Sequence, residues 1–235
     1  MTDNLIIKKE SLTAIADAIR KKTGKTATMT VSQMKDEITS IETGGSGIPK
    51  FTDLRYFYYH GVRLSELPPE TLDTSVCTIM SSMFEQSRFY RRKEGVDLTA
   101  WDTSNVTNMF ALFFNVSNFF EANLSGWDTR KVENMGYMFM GCNELQTLHC
   151  TGWDTNKVTN MSNFISNCTK LKDVYIKDSE LNEDGQLKFK LPMSGIFNQV
   201  RTNSGKIHLS KTLESNYKAA TNWSAYTDIM VFDQP

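Results

Sequence analysis

The chain has 235 residues and a formal net charge of −1 at pH 7, and its hydrophobic content of 40% is enough for a buried core. The near-neutral charge excludes the strong attraction that draws basic proteins to nucleic acids and anionic membranes. No apolar run of about 18 residues is present to span a bilayer, and the start lacks the pattern of a signal peptide. We therefore expect one or two globular domains, made in a cytoplasm, with no nucleic acid partner and no membrane span.

Residues 1–43 form the first predicted module, a strand followed by two helices. The apolar run at 5–7 predicts the strand, and Ser11 is a cap for the first helix. Thr30 and Gln33 form a capping box for the second helix. So short a segment is marginal as a free-standing domain, so its apolar residues are expected to pack on another chain or on a further copy. The residues assigned to this attachment or oligomerisation are Leu5, Ile7, Leu12, Ile15, Ile19, Val31, Met34 and Ile38.

The same module carries a resemblance. Its pattern, LIIKKESLTAIADAIRKKTGKT followed by VSQMKDEITSI, resembles the N-terminal segment of many tail and other virion proteins of phages that infect Gram-positive bacteria. The resemblance implies attachment to a phage particle, with other virion proteins as partners. Packing of the module on further copies of itself would give a trimer or larger homo-oligomer. The GGSG stretch at 44–47 has the composition of a linker, which favours an anchor over a module packed on the rest of the chain.

A nine-residue motif recurs after this linker. WDTSNVTNM at 101–109 returns as WDTRKVENM at 127–135 and as WDTNKVTNM at 153–161, always 26 residues on. A weaker copy, LDTSVCTIM, begins at Leu72, which is 29 residues before Trp101. Fixed periods of about 20–50 residues indicate solenoids, propellers or arrays. The repeat units are 72–100, 101–126, 127–152 and 153–178, and the aromatic-rich segment 48–71 is the expected cap of the first unit.

Each unit has two differently patterned halves. In the third unit, Val132, Met135, Met138 and Phe139 follow a helical spacing with one apolar face. The pattern that begins at Leu145, L-x-x-L-x-C, fits the strand of a leucine-rich repeat. We therefore predict an α/β fold, a short leucine-rich-repeat-like solenoid of about four coils with parallel strands, short helices and terminal caps.

Two polar columns accompany the apolar ones. The Asp-Thr pair of each motif and the column Asn108, Asn134 and Asn160 have side chains that accept backbone N–H bonds in turns. Calcium or sugar binding is the functional alternative for these columns. Turn capping is the favoured interpretation, because the columns persist while their neighbours vary.

The repeats resemble the BspA-like leucine-rich repeat family over residues 72–178. The shared positions are the Trp, the Asp-Thr pair, Val, Met, Met-Phe, Cys and the strand leucines, and the unit WDTRKVENMGYMFMGCNELQTLHC is the nearest copy. The second unit departs from the pattern, with Val116 in the Cys position and Phe119 in the Leu position. The family resemblance implies a surface-displayed adhesion or binding solenoid, and it implies no catalysis.

The repeat fades in the last segment, 179–235. KIHLSKTLESNYKAATNWSAYTDIMVF at 206–232 predicts a strand followed by a helix and resembles the closing segment of many bacterial and phage leucine-rich repeat proteins. Such caps keep the ends of solenoids soluble. We therefore expect 179–235 to be the C-terminal cap.

The sequence contains no set of residues that together form a catalytic or metal-binding motif. The three histidines share no motif, no phosphate-binding loop is present, and all four cysteines fall at core positions of the repeats. A weak calcium-loop pattern at 180–185 lacks the acidic residue that an EF-hand needs at its twelfth position, so a surface turn is the favoured interpretation. We expect no enzyme, no catalytic residue, no metal and no cofactor.

Ligand binding is expected on the outward face of the strands. Four strands about 4.8 Å apart make a footprint that suits a host cell-surface glycan or a protein segment. A solvated sheet without a ligand has the same mixed polarity, so that alternative stays open. The candidate residues are Asp97, Thr99, Glu121, Asn123, Thr147, His149, Thr151, Asp173, Tyr175 and Lys177.

The leading hypothesis is a bacteriophage virion structural protein, of the tail, a fibre or another appendage, located on the virion. Its N-terminus attaches to the particle, and its solenoid binds the host surface. One alternative is a capsid fibre, decoration or connector protein without a receptor role. Another is a bacterial surface adhesin or protein-interaction module.

Overall fold

The structure is a computed structural model that describes residues 52–55, 57, 74–88, 98–178, 180–192 and 195–234. The predicted attachment module and the linker lie outside the described residues, as do most of the predicted first cap and the candidate ligand residue Asp97. The expectations for those segments therefore stay predictions.

A single parallel sheet of five strands organises the described residues, and its strand order follows the chain. Two short α-helices lie around the fourth strand: α1, Asn198–Thr202, precedes it and α2, Glu214–Ala219, follows it. Short 3₁₀-helices span Lys211–Leu213 and Ser224–Tyr226. The prediction of an α/β protein with parallel strands is confirmed. The strands are β1 (Glu121–Asn123), β2 (Thr147–His149), β3 (Asp173–Ile176), β4 (Lys206–Ser210) and β5 (Met230–Asp233).

The register of the first three strands follows the sequence repeat. Glu121 pairs with Thr147, and Thr147 pairs with Asp173, so each strand lies beside the strand of the next unit. β4 continues the sheet with Lys206 beside Asp173. The strands predicted from the leucine pattern in the second, third and fourth units are confirmed.

The core runs the length of the sheet as stacked columns of like residues. Val106, Val132 and Val158 are all buried, as are the methionines three residues after each of them. Trp101 stacks on Trp127 with ring centroids 6.0 Å apart, and Trp127 stacks on Trp153 at 6.4 Å. Equal residues at equal positions thus fill equal spaces, which is the physical reason for the repeated motif.

The short helix predicted in each unit is wrong for the described units. Residues 109–116 form a row of overlapping turns, because the N–H groups of Leu112 and Phe114 bond to carbonyls three residues back. The amides that alternate with these bond to the next unit instead: Met109 donates to the Asn134 carbonyl and Ala111 to that of Gly136, both at 2.9 Å. The helical spacing of the apolar residues is satisfied equally by this turn row.

Left-handed residues make the turn row incompatible with an α-helix. Ala111, Tyr137 and Asn163 have φ of 54°, 61° and 52°, at the same position of successive units. An L-residue in this region interrupts the regular right-handed backbone of a helix. The alternation lets one amide close a turn and the next one join the neighbouring unit, so the backbone amides of the row find partners.

The C-terminal segment adds more sheet than the sequence indicates. The strand and the helix predicted over 206–232 are present as β4 and α2. The final strand, β5, was not predicted, and it pairs with β4 through Ile207 and Met230. Trp223 donates from Nε1 to the Phe189 carbonyl at 3.1 Å, which ties this segment to the core. Within the described ranges, no helix has both the length and the apolar character to cross a bilayer.

Candidate functional site

The outer face of the sheet carries most of the predicted ligand residues. Along β1–β3 the side chains alternate, so Ala122, Leu148 and Val174 are buried while their neighbours face outward. Thr151 and Lys177 follow their strands directly. Thr99 lies in a turn and not in a strand, because the first unit forms no strand within the described residues. The outward residues on β1–β3 are Glu121, Asn123, Thr147, His149, Asp173 and Tyr175.

Three aromatic rings form a ladder across the centre of this face. Tyr175 stacks between two histidines, with its centroid 4.7 Å from His149 and 4.3 Å from His208, and with interplanar angles of 9° and 15°. These residues are paired in register on β2, β3 and β4, so the strand spacing itself brings the rings into contact. We call His149, Tyr175 and His208 the ring ladder.

Carboxylates flank both ends of the ring ladder. His149 Nε2 lies 3.2 Å from Glu121 Oε1. His208 lies between two carboxylates, with Nε2 at 3.0 Å from Asp173 Oδ1 and Nδ1 at 3.2 Å from Asp233 Oδ2. Each ring nitrogen of His208 therefore has a carboxylate oxygen within hydrogen-bond distance. The carboxylates therefore hold both imidazole rings in orientation.

One lysine completes this network. Lys177 Nζ contacts Asp233 Oδ2 at 2.9 Å and also lies over the Tyr175 ring, 5.5 Å from its centroid. The hydrogen bond from Lys177, with a smaller contribution from His208, lowers the pKa of Asp233 below its usual value. Asp233 is thus an anion that joins β5 to the ring ladder.

The sequence prediction missed two members of this site, His208 and Asp233. Both lie after residue 178, where the repeat ends, so no column of the alignment reaches them. A signal existed for His208, since it stands between Ile207 and Leu209, which are both buried in β4. Alternation along a strand places such a residue outward.

The polar side chains in the repeated columns cap turns of the backbone. Asp102, Asp128 and Asp154 each accept the N–H bond of the residue two positions on, at 2.9, 3.1 and 3.0 Å. Asn160 donates from Nδ2 to Asn134 Oδ1 at 3.0 Å. In the part of the chain that the structure describes, no group of three His, Cys, Asp or Glu side chains could hold a metal. These columns therefore perform turn capping.

The loop with the weak calcium pattern is also a turn. Asn182 Oδ1 accepts hydrogen bonds from the N–H groups of Asp184 at 3.1 Å and Gln186 at 2.8 Å. Gly185 has φ of 71°, a left-handed conformation that suits glycine. The Asn182 side-chain oxygen is thus engaged by the loop's own backbone.

The four cysteines are buried thiols. Burial raises the pKa of Cys77 to about 11 and that of Cys168 to about 12. Cys142 Sγ donates to the Phe113 carbonyl at 2.9 Å, and Cys168 Sγ donates to the Phe139 carbonyl at 3.0 Å. Nucleophilic chemistry needs a thiolate, so these thiols are structural.

A groove of about 870 Å³ lies between the glycine turns after β1 and β2 and the loop 180–190. Its charged residues have both signs, and at least one pair is closed, since Arg130 contacts Asp128 at 2.7 Å. Turn-capping aspartates supply part of its wall.

Comparison with known proteins gives a family. Residues 52–178 match the family model described as "Mycoplasma protein of unknown function, DUF285". This match covers more than half of the chain, so the chain belongs to that family. Neither the curated proteins nor the solved structures include a match.

Proposed function

We propose that this chain is a structural component of a bacteriophage particle. Residues 1–43 attach it to other virion proteins, and the repeat units form a short solenoid of the leucine-rich-repeat type that displays the outer face of the sheet to the host surface. The N-terminal sequence resemblance supports the attachment. Register pairs and turn bonds that link residues 26 positions apart support the solenoid.

The ring ladder is the observation that carries the binding role. Its rings are half-buried on a face whose interior side is already fully packed, so the core does not require them. Stacking and carboxylate contacts hold each ring in one orientation. Rigid, ordered side chains on an exposed face lower the entropic cost of binding a ligand.

One observation favours a second candidate, a bacterial surface adhesin or interaction module. The matching family is described by a bacterial genus, Mycoplasma, and not by a phage. In this alternative the outer face has the same binding role, while residues 1–43 attach the chain to a cellular partner.

Fluorescent fusions of 1–235 and of 48–235 on a panel of Gram-positive cells test the proposal. We expect both fusions to label one strain, with His149→Ala combined with Tyr175→Ala reducing the labelling at least tenfold. Glu133→Ala, an exposed carboxylate directly after the buried Val132, is the matched control. Absence of labelling on every strain would remove the receptor role and favour a capsid fibre, decoration or connector protein.

A further inference from the structure

We infer that the ligand of the outer face is a neutral, hydroxyl-rich glycan that lies across the strands beside the ring ladder. This inference rests on the proposed binding function and names the chemical class of its ligand. Four properties of the face support it. The flat sides of the Tyr175 ring are covered, and the charges of the face nearly cancel. Two carboxylates can accept further hydrogen bonds, and the strand spacing fixes the distance between them.

The ring ladder leaves little flat aromatic surface free. Tyr175 has a histidine at 4.7 Å on one face and another at 4.3 Å on the other, so both of its faces are covered. What it presents outward is a ring edge and a hydroxyl, which can donate and accept hydrogen bonds. A planar apolar ligand gains little on such a surface, whereas a ligand that forms hydrogen bonds along its length gains at each strand.

The charges of the face nearly cancel. Three carboxylates, of Glu121, Asp173 and Asp233, lie among two lysines, Lys177 and Lys206. Asp233 is paired with Lys177 at 2.9 Å, and the other two carboxylates contact imidazole nitrogens. Without a net field of one sign, neither a polyanion nor a polycation has a strong electrostatic advantage. Charge complementarity therefore favours an uncharged ligand.

Two carboxylates can accept further hydrogen bonds from hydroxyl groups. The side chains of Glu121 and Asp173 are 59% and 40% exposed, and the contact of each with a histidine engages one oxygen. A carboxylate offers about four acceptor sites, so each retains sites for the adjacent hydroxyls of a sugar ring. Hydrogen bonds to an ionised acceptor are stronger than neutral ones.

The geometry also sets the direction and the strength of binding. Glu121 and Asp173 stand on strands two apart, which places them roughly 10 Å from each other along the sheet. A short stretch of a glycan chain that runs across the strands contacts both. So small a site binds weakly by itself, and several copies on one particle add avidity.

The test uses the full chain as a fluorescent fusion on a strain that it labels. The cells are treated in separate arms with periodate, which cleaves adjacent hydroxyl-bearing carbons of sugars, with protease, or with about 0.5 M NaCl, which screens charge. We expect periodate to reduce labelling at least tenfold, with less than a twofold change after protease or in salt.

Variants test the residues. Glu121→Gln and Asp173→Asn each replace an acceptor with an amide on the exposed face, and each is expected to weaken labelling about tenfold. Glu144→Gln, whose side chain pairs with Lys170 at 2.8 Å, is the control and should change labelling less than twofold.

The outcomes separate this inference from the proposed function on which it rests. Labelling that protease abolishes, or that salt abolishes, overturns the glycan ligand while the binding function stands. Labelling that survives periodate overturns it as well. If no strain is labelled at all, the binding function itself fails, and the ligand assignment fails with it.

Discussion

A tryptophan in the repeat column does two things that no other side chain combines. The ring of Trp127 stacks on its neighbours in the column, and its Nε1–H donates to the Leu98 carbonyl at 2.9 Å. Trp153 repeats the bond with Leu124, also at 2.9 Å. Phenylalanine could keep the stacking, but it would lose this bond and leave the Leu98 carbonyl with the Trp101 N–H alone, at 3.2 Å. The loss of one such hydrogen bond costs about 0.5–1.5 kcal/mol. The combined demand explains why the column keeps this residue.

Asp178 is a residue that departs from its column. In the preceding units the equivalent positions are Gly126 and Gly152, whereas Asp178 is a carboxylate that is only 4% exposed. Its Oδ1 accepts the Gly152 N–H at 2.8 Å, so the side chain closes the turn where the chain leaves the repeat. Burial raises the pKa of Asp178, and the Gly152 N–H bond and the Lys188 charge oppose that rise only in part.

The direction of this shift gives a pH prediction. When the pKa of a carboxyl group is higher in the folded state than in the unfolded state, the group stabilises the fold at pH values below its unfolded-state pKa. This stabilisation is lost as the pH rises through the folded-state pKa. Asp178→Asn keeps an oxygen for Gly152 and removes the charge. We therefore expect this variant to gain stability relative to the native protein as pH rises from about 4 to about 8. Urea denaturation at a series of pH values measures the difference.

Asp184→Asn, in an exposed turn, is the control for that experiment, since its side chain is not buried. A stability difference for Asp178→Asn that is independent of pH would contradict the prediction.

At the scale of the element, the junction between α1 and β4 depends on a glycine. A Cβ on Gly205 would overlap the carbonyl oxygen of Lys172 and would lie 2.7 Å from the carbonyl carbon. Those are backbone atoms of the segment leading into β3, and Lys206 donates its N–H to the same carbonyl at 2.7 Å. The contact therefore cannot be relieved without moving β4 away from β3.

Gly205→Ala should accordingly destabilise the fold by about 3 kcal/mol or more, because two backbones must separate. Gly185→Ala is the matched control: a Cβ there meets nothing within 4 Å, so its cost is the left-handed backbone alone, about 1 kcal/mol. Thermal unfolding followed by circular dichroism measures both. Equal losses for the two variants would show that the β3–β4 approach is not the reason.

The sequence predicts the strands of this fold better than its turns. The leucine pattern locates β1, β2 and β3, because buried alternate residues and a fixed period are properties of sequence. The turn row is different, since apolar residues at helical spacing also fit a chain whose alternate amides bond to the next unit. Only the positions of those partners, 25 residues away, distinguish the two structures.

The residues of the candidate site likewise fall into those that the sequence predicts and those that it does not. Outward residues on β2 and β3, including His149 and Tyr175, follow from alternation alone. The pairing of β3 with β4 does not, because a non-repeating segment of about thirty residues separates them. The stacking of His208 on Tyr175 therefore required the tertiary structure.

At the scale of the molecule, one hydrophobic core joins all the described parts of the chain, from Leu54 to Ile229. All four tryptophans are buried in it, at positions spread along its length. Neighbouring units share stacked rings and backbone bonds, so none has a core of its own that could unfold separately.

We therefore expect a single cooperative unfolding transition. Trp101→Phe and Trp223→Phe each remove the reporter at one end of the core. In both variants, the urea midpoint by tryptophan fluorescence should match the midpoint by circular dichroism, since a two-state protein gives coincident transitions. Fluorescence that changes before circular dichroism in one variant alone would mean that its remaining end of the core unfolds first.

The matched register of β1, β2 and β3 also restricts how genes for such proteins can change in length. An insertion of one codon within a strand would move the outward residues of that strand off their neighbours. Recombination between two copies of the repeated DNA adds or removes 26 codons together, and it leaves each remaining residue beside an equivalent one. Homologues are therefore expected to differ mainly by whole units, with the width of the outer face of the sheet increasing in steps of one strand.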